Sequence, residues 1–195
     1  MPSRTHAAWI GLAALLSSIT IAQAQGMDER QQMLSGGSPR ARAYDFFTGF
    51  ALSRTRVGFA GNHKPGTIVI NTAERRLYLV QEGGVALRYA IGVGRVGFTW
   101  KGVRKVTEKK EWPGWTPPPQ MHARVRGLPA HMPGGIENPL GARALYLGGT
   151  LYRIHGSNDP DSIGRAESSG CFRLTNEDVQ DLYDRVAVGA TVIVQ

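Results

Sequence analysis

Cysteine is nearly absent from this sequence: Cys171 is the only one among 195 residues. Exported domains that use cysteine structurally carry it in pairs, because their compartment is oxidising. A single cysteine excludes an internal disulfide framework and leaves two interpretations. Either Cys171 packs as a small apolar side chain, or it is kept for the reactivity of its thiolate.

Long apolar runs are also scarce, and the one extended run lies at the amino terminus. It covers Ala7 to Ala22 after two basic residues and leads into Ala22-Gln23-Ala24, a small-x-small sequence typical of signal-peptide cleavage. A membrane anchor is the alternative, but a spanning helix needs about 20 predominantly apolar residues. This run is shorter and is interrupted by hydroxyl side chains. We therefore expect residues 1–24 to be a signal peptide of a protein exported to the periplasm or cell envelope.

Acidic residues are few as well, since 15 Asp and Glu oppose 23 Lys and Arg and the formal net charge is +8. A basic exported protein can meet nucleic acid, an anionic membrane face or an anionic cell-wall polymer. The basic residues are scattered and form no long run. Charge alone therefore selects no partner, and a solvated basic surface is the simpler interpretation.

The chain changes character near residue 66. Residues 25–65 are polar and rich in Gly, Ser and Arg, apart from a small aromatic cluster between Arg42 and Phe50. We interpret them as a loosely ordered basic leader; a short helix or strap packed on the domain is the alternative. Residues 66–195 carry regular apolar patterns and are expected to form one folded domain.

Strand patterns dominate this second part of the chain. The predicted strands are Thr67–Asn71, Arg76–Gln81, Val85–Ile91, Gly102–Glu108, Arg143–Leu147, Leu151–His155 and Ala190–Val194. A helix is predicted from Thr175, where a capping-box sequence precedes apolar residues at i, i+3, i+4 and i+7, and Gly189 ends it. The sequence therefore predicts a mostly β fold with one helix near the C-terminus.

Two further features have limited meaning. Gly92 to Gly97 matches G-x-G-x-x-G, but no helical pattern follows, so we interpret it as a turn rather than a nucleotide site. The histidines show no metal-ligand spacing to Cys171 or to carboxylate pairs, so no metal site is expected.

The proline- and tryptophan-rich segment from Trp112 to Pro139 is long for a loop, which is typical of a lid or binding loop.

The segment from His155 to Cys171 carries a pattern typical of nucleophilic catalysis. His155 ends a predicted strand, and Cys171 follows a polar loop in Ser168-Ser169-Gly170-Cys171. Small residues before a cysteine let backbone N–H groups converge as an oxyanion hole requires. The helix that begins near Thr175, together with Arg173, is expected to lower the pKa of the thiol, and His155 would serve as its base. A buried core cysteine and a structural histidine are the alternative.

These residues resemble the catalytic signature of the L,D-transpeptidases (YkuD-type domains). The family pattern is a His-Gly, a loop, then Ser-His-Gly-Cys, an aliphatic residue and Arg. Here it stands as His155-Gly156 followed by Ser168-Ser169-Gly170-Cys171-Phe172-Arg173. The resemblance extends over about residues 66–195. Two positions differ from it, since Ser169 replaces the second histidine, as in the ErfK/YbiS branch, and Phe172 replaces the aliphatic residue.

The resemblance implies a β-sandwich-like catalytic domain that performs acyl transfer on peptidoglycan without metal, nucleotide or other cofactor. Cys171 would attack the bond between diaminopimelate and D-Ala of a tetrapeptide stem, with His155 as base, oriented by the carbonyl of Gly156. Ser169 and Gly170 would shape the oxyanion hole, supported by Ser168 and Arg173. The acceptor would be the amine of another stem peptide or a lysine of an envelope protein. Nucleic acid is not an expected partner.

Two alternatives remain open at this point. With water as acceptor, the same residues would make an L,D-carboxypeptidase or a hydrolase of existing crosslinks. From a different class, the chain would be a non-catalytic wall-binding protein. The loop from Trp112 to Pro133 is our candidate for a lid that excludes water and so favours amine acceptors.

Overall fold

Nine strands form one mixed sheet in the computed structural model, which describes residues 54–195. The strands are β1 Thr55–Gly58, β2 Ile68–Asn71, β3 Arg76–Gln81, β4 Val85–Ala90, β5 Val93–Gly94, β6 Gly102–Glu111, β7 Arg143–Leu147, β8 Arg153–His155, β9 Ala166–Ser168, β10 Phe172–Arg173 and β11 Thr191–Val194. The helices are α1 Pro119–His122, α2 Asn176–Arg185 and a 3-10 turn at Pro160–Ser162. The predicted mostly β fold is confirmed.

The sheet order is β1-β4-β3-β2-β11-β6-β7-β8-β10, and β5 pairs separately with β9. Strands β2, β3 and β4 form an antiparallel meander. Strand β6 joins the two halves of the sheet: its first residues pair with β11 and its later residues pair with β7, with a register shift between Val106 and Glu108. The strand that carries His155 therefore lies in the second half, next to β10.

Both halves of the sheet contribute to one hydrophobic core. Helix α2 packs Val179 and Leu182 into it, and both side chains are fully buried. They meet strand residues such as Ile70 and Leu145. A fully buried side chain of this kind stabilises the fold by about 1.5–3 kcal/mol. This core fixes α2 behind the strands that carry the candidate site.

Helix α2 begins and ends close to its predicted limits. The Oγ1 atom of Thr175 accepts a hydrogen bond from the backbone N–H of Asp178 at 3.1 Å, which caps the helix. The helix ends at Arg185, a few residues before Gly189. The Asp178 side chain forms an ion pair with Arg54 at 3.2 Å.

The described chain begins inside the segment that the sequence analysis assigned to the leader. Residues Thr55–Gly58 form β1, which pairs antiparallel with β4 at the edge of the sheet. A strand of four residues gives too short a pattern to be recognised in a polar segment, and its pairing with β4 stabilises it. The predicted signal peptide and most of the leader lie outside the described residues. Within residues 54–195, no helix is long and apolar enough to cross a membrane.

Candidate active site

A cavity of about 870 Å³ brings the two predicted catalytic residues together. His155 and Cys171 both line it. Ser168, Ser169 and Arg173 of the predicted site line it as well. The opposite wall comes from the proline-rich loop, so the cavity lies between the sheet and this loop.

The pairing of β8 with β10 explains why these residues share one cavity. The two strands are parallel, with Arg173 opposite His155 and Phe172 opposite Ile154. Side chains alternate between the faces of a sheet with a period of two. Cys171, which directly precedes β10, therefore points to the same face as Arg173 and His155.

The imidazole of His155 is held in one orientation. His155 is 4% exposed, and its Nδ1 lies 2.6 Å from the carbonyl oxygen of Gly156. A carbonyl only accepts hydrogen bonds, so Nδ1 carries the proton and Nε2 keeps its lone pair. The contact with Gly156 that the resemblance implies is therefore present, and it prepares Nε2 to take a proton.

Burial keeps this imidazole neutral. Desolvation lowers the pKa of His155 to about 3, because the buried cationic form is poorly solvated. The hydrogen bond to Gly156 raises the pKa in part, whereas the positive charges of Arg173 and Arg153 lower it further. His155 therefore enters the reaction as a free base at neutral pH.

The thiol of Cys171 is also neutral at rest. Although the residue as a whole is half-buried, the enclosing protein raises the pKa of the Cys171 thiol above its ordinary value. Arg153 and Arg173 act in the opposite direction but do not offset the burial. The sequence-based expectation of a lowered thiol pKa is therefore wrong in direction. A thiol with a raised pKa would have to lose its proton to a base as it attacks, rather than wait as a thiolate.

A tight turn presents Cys171. The Oγ atom of Ser168 donates to the carbonyl oxygen of Cys171 at 2.6 Å and accepts from the N–H of Gly170 at 3.1 Å. Gly170 has φ +107°, and a Cβ placed there would lie 2.4 Å from the Tyr152 ring. Only glycine fits this position. Because the Gly170 N–H already donates to Ser168, Gly170 is better placed to shape the turn than to donate to an oxyanion.

Two aromatic residues that the sequence analysis did not select support this turn. Trp100 Nε1 donates to the carbonyl oxygen of Gly170 at 3.0 Å, and its ring stacks on Tyr152 with centroids 4.9 Å apart. The ring of Phe172 packs against Trp100, with ring centroids 5.6 Å apart. An aromatic residue after Cys171 therefore has a packing partner, which accounts for this difference from the family pattern.

The glycine-rich segment that precedes Trp100 packs closely against the turn before Cys171. It consists of β5 and a turn, and the next element is strand β6, so no helix follows it. A Cβ on Gly94 would lie 2.4 Å from the carbonyl oxygen of Phe98 and 3.3 Å from the Cα of Gly170. This glycine lets β5 approach the nucleophile turn closely, and the interpretation of the segment as a turn agrees with its geometry.

The long loop between β6 and β7 is ordered and forms one wall of the cavity. Backbone hydrogen bonds of 2.8 Å in both directions between Trp115 and Met132 close it at its base. The side chain of Asn138 donates to the carbonyl oxygen of Pro133 at 2.9 Å. The loop contains helix α1, which the sequence did not predict. Its cavity-lining residues are Trp115, Pro118, Gln120, Met121, Arg124, Pro139 and Leu140.

The start of α2 lies against the segment that follows His155. The Oδ1 atom of Asn176 accepts from the N–H of Ala142 at 2.9 Å. A Cβ on Gly156 would lie 2.3 Å from the same oxygen. The buried amide thus binds the segment before β7, and Gly156 can approach the same oxygen because it has no side chain, a role that the capping pattern alone did not indicate.

Comparison with known proteins identifies a matching family. The sequence family described as the L,D-transpeptidase catalytic domain (YkuD) matches residues 65–194. The probable L,D-transpeptidase YbiS of Escherichia coli is 45% identical over 134 residues, which is 64% of this chain and 43% of YbiS. The chain therefore spans under half the length of that relative.

Two solved structures are similar in fold. The catalytic domain of the Enterococcus faecium L,D-transpeptidase is 22% identical with a TM-score of 0.53, and the match covers 69% of this chain and 100% of that domain. A Brucella melitensis protein described as a probable carnitine operon oxidoreductase is 43% identical with a TM-score of 0.51. That match covers 78% of this chain and 99% of the Brucella protein.

Proposed function

The chain belongs to the L,D-transpeptidase (YkuD) catalytic domain family, and we propose that it is a cysteine acyltransferase that acts on peptidoglycan stem peptides in the cell envelope. One observation carries the proposal. His155 and Cys171 lie on the same face of two paired strands, in one cavity, with Nδ1 of His155 bonded to the carbonyl of Gly156. This is the arrangement that a cysteine nucleophile and its base require.

In the first step, His155 Nε2 takes the thiol proton while Cys171 Sγ attacks the carbonyl between diaminopimelate and D-Ala of a tetrapeptide stem. The tetrahedral oxyanion is assigned to the N–H of Cys171 itself, because the Gly170 N–H donates to Ser168. The C–N bond then breaks, and His155 returns the proton to the departing D-Ala amine. A thioester to Cys171 remains.

In the second step, an amine resolves the thioester. His155 takes a proton from the attacking amine, the new C–N bond forms, and the C–S bond breaks. The proton then returns to the Cys171 thiolate. The acceptor is the diaminopimelate amine of another stem, giving a 3→3 crosslink, or a lysine of an envelope protein.

The wall formed by the Trp112–Pro133 loop supports amine transfer over hydrolysis. It places Trp115, Pro118 and Met121 over the cavity, and apolar side chains disfavour water there. If the loop acts as a lid, shortening it between Trp115 and Met132 should raise the ratio of hydrolysis to transfer. An unchanged ratio would contradict the lid.

The glycine-rich segment of this chain does not favour the redox function that the name of the Brucella protein describes. A dinucleotide site would need a helix after the glycine-rich segment. Here the segment from Gly92 to Gly97 passes through β5 and a turn into β6. The geometry at Cys171 supports acyl transfer instead.

The test is mass spectrometry of the protein incubated with a disaccharide-tetrapeptide. We expect a dimer that has lost one D-Ala with the wild type, and none with Cys171→Ala or His155→Ala. His63→Ala is the matched histidine control, since His63 does not line the cavity. Free tripeptide alone would indicate hydrolysis. No product in any sample would contradict the stem-to-stem reaction.

A further inference from the structure

The walls of the cavity carry positive charge without a matching negative charge. Three arginines line it, Arg124, Arg153 and Arg173, whereas no aspartate or glutamate does. Within residues 54–195, none of the three forms an ion pair with a carboxylate. The Nε atom of Arg153 is buried and has no hydrogen-bond partner among the described residues. Like charges that converge without a counter-ion favour an anionic ligand.

Arg124 is the member of this group that the loop contributes. It follows helix α1, and its Nη2 lies 3.4 Å from Ser169 Oγ, two residues from the nucleophile. Its guanidinium carbon lies 4.8 Å from the centroid of the Phe98 ring. These contacts hold the guanidinium at the edge of the cavity, while most of its N–H donors remain available.

The residue at position 169 allows this approach. The family pattern has a histidine there, whereas Ser169 is short and half-buried. Its hydroxyl leaves space for Arg124 and offers an oxygen for it to contact. The serine and the loop arginine thus form one unit beside Cys171.

Resting on the function proposed above, we propose that Arg124 binds a carboxylate of the donor stem peptide, so that the cavity selects stems with free carboxylates over amidated ones. A tetrapeptide stem offers carboxylates on glutamate, on diaminopimelate and on the terminal D-Ala. The planar fork of arginine binds a carboxylate through two parallel hydrogen bonds, which a neutral carboxamide cannot match. Arg153 and Arg173 add to the positive field along the same wall.

The experiment compares Arg124→Gln with wild type on four donors, one unmodified and three with a single carboxylate replaced by carboxamide. We expect Arg124→Gln to lower kcat/KM for the unmodified donor about 10–100-fold, the range for a charge-assisted hydrogen bond. With one of the amidated donors, wild type and variant should become equal, and that donor identifies the carboxylate bound. Arg126→Gln is the matched control, because Arg126 is exposed in the same loop and does not line the cavity.

A neutral alkylating reagent, iodoacetamide, separates substrate binding from damage to the nucleophile. Cys171 should react with it at the same rate in wild type and Arg124→Gln. If wild type turns over the donors but Arg124→Gln shows the same preference among them, the assignment of Arg124 is overturned. If wild type turns over no donor while Cys171 still reacts with iodoacetamide, the proposed function fails instead.

Discussion

The charged residues around α2 and those in the cavity differ in whether they have partners of opposite charge. Around α2, cations and carboxylates are matched: Arg54 pairs with Asp178 at 3.2 Å and with Asp181 at 3.5 Å, and Arg185 pairs with Asp181 at 2.9 Å. The hydroxyl of Tyr89 donates to Asp181 at 2.7 Å. In the cavity, the three arginines have no carboxylate partner among the described residues.

This difference in ion pairing indicates that the charges around α2 stabilise the fold, whereas those in the cavity are available for the reaction. Matched charges around α2 attach the start of the described chain to the helix, and removing one partner leaves the other buried without compensation. The cavity arginines form no ion pair within residues 54–195, and we propose that Arg124 uses its remaining donors for a ligand. We therefore expect substitutions around α2 to change stability, and substitutions in the cavity to change the reaction.

Gly170→Ala should change both stability and reaction, because Gly170 directly precedes Cys171 and is also tightly packed. Gly170→Ala would place a Cβ 2.4 Å from a Tyr152 ring that is stacked on Trp100 and cannot move aside easily. We expect a loss of roughly 3 kcal/mol in the free energy of unfolding, from the left-handed backbone and the overpacking together. Transfer activity should be lost with it. Urea denaturation and the mass-spectrometric assay measure the two effects.

Gly189→Ala is the matched control for this substitution. Gly189 has a similar φ of +94°, but a Cβ there meets nothing within 4 Å. It should lose only about 1 kcal/mol, the cost of the left-handed backbone, and keep its activity. Equal losses for the two variants would show that the contact with Tyr152 does not matter.

Arg54→Met tests the matched group. The Asp178 side chain is 7% exposed, and burial raises its pKa to about 7 even with Arg54 present. Without Arg54 the carboxylate is uncompensated, and we expect a loss of about 2 kcal/mol at pH 8. Activity per folded molecule should not change. Denaturation at several pH values measures the loss.

The pH dependence of this loss has a definite sign. Because the folded-state pKa of Asp178 lies above its unfolded value of about 3.9, its stabilising contribution is full at low pH and is lost as pH rises through about 7. The loss in Arg54→Met should therefore be smaller at pH 5 than at pH 8. The double variant with Asp178→Asn should remove this dependence, and a loss equal at both pH values would contradict it.

Much of the fold and of the site could be predicted from local patterns. The strands at Arg76–Gln81 and Arg143–Leu147 and the start of α2 follow from periodicity and capping. His155 and Cys171 could be selected because a lone cysteine in a small-residue turn has few structural uses. The short strand β1 and helix α1 could not be predicted, because their stability comes from contacts with distant segments.

The electrostatics and supports of the site depend on tertiary contacts that no local pattern contains. The direction of the Cys171 pKa was mistaken because burial, which outweighs the nearby arginines, is a property of the folded molecule. Trp100 is distant from Gly170 in sequence, and Arg124 is distant from Ser169, so neither contact has a spacing signal. The position of Arg124 in the cavity, which suggests a binding role, is visible only in the folded structure.

The neutral Cys–His pair predicts the pH profile of alkylation. Because burial raises the thiol pKa and lowers that of His155, iodoacetamide should react with Cys171 at a rate that rises about tenfold per pH unit until the pH exceeds the ordinary pKa of a thiol. Arg153→Gln should shift the inflection higher, because Arg153 lowers the thiol pKa. His155→Ala should leave it nearly unchanged. A plateau at pH 5–7 that is lost in His155→Ala would instead show that His155 assists alkylation, either as a base during the attack or as the imidazolium of a thiolate–imidazolium pair.

The smallest expected effect concerns the cap of α2, which belongs to the stabilising side of the comparison although it follows Cys171 closely in sequence. Thr175→Ala removes the acceptor for the Asp178 N–H and should cost about 1 kcal/mol of unfolding free energy. Thr175→Ser keeps the hydroxyl and should lose much less. The alkylation rate of Cys171 should be the same in all three proteins, because burial rather than the helix end controls the thiol pKa. A slower alkylation in Thr175→Ala would show that the start of the helix increases the reactivity of the Cys171 thiol. The region around α2 would then affect the reaction as well as stability.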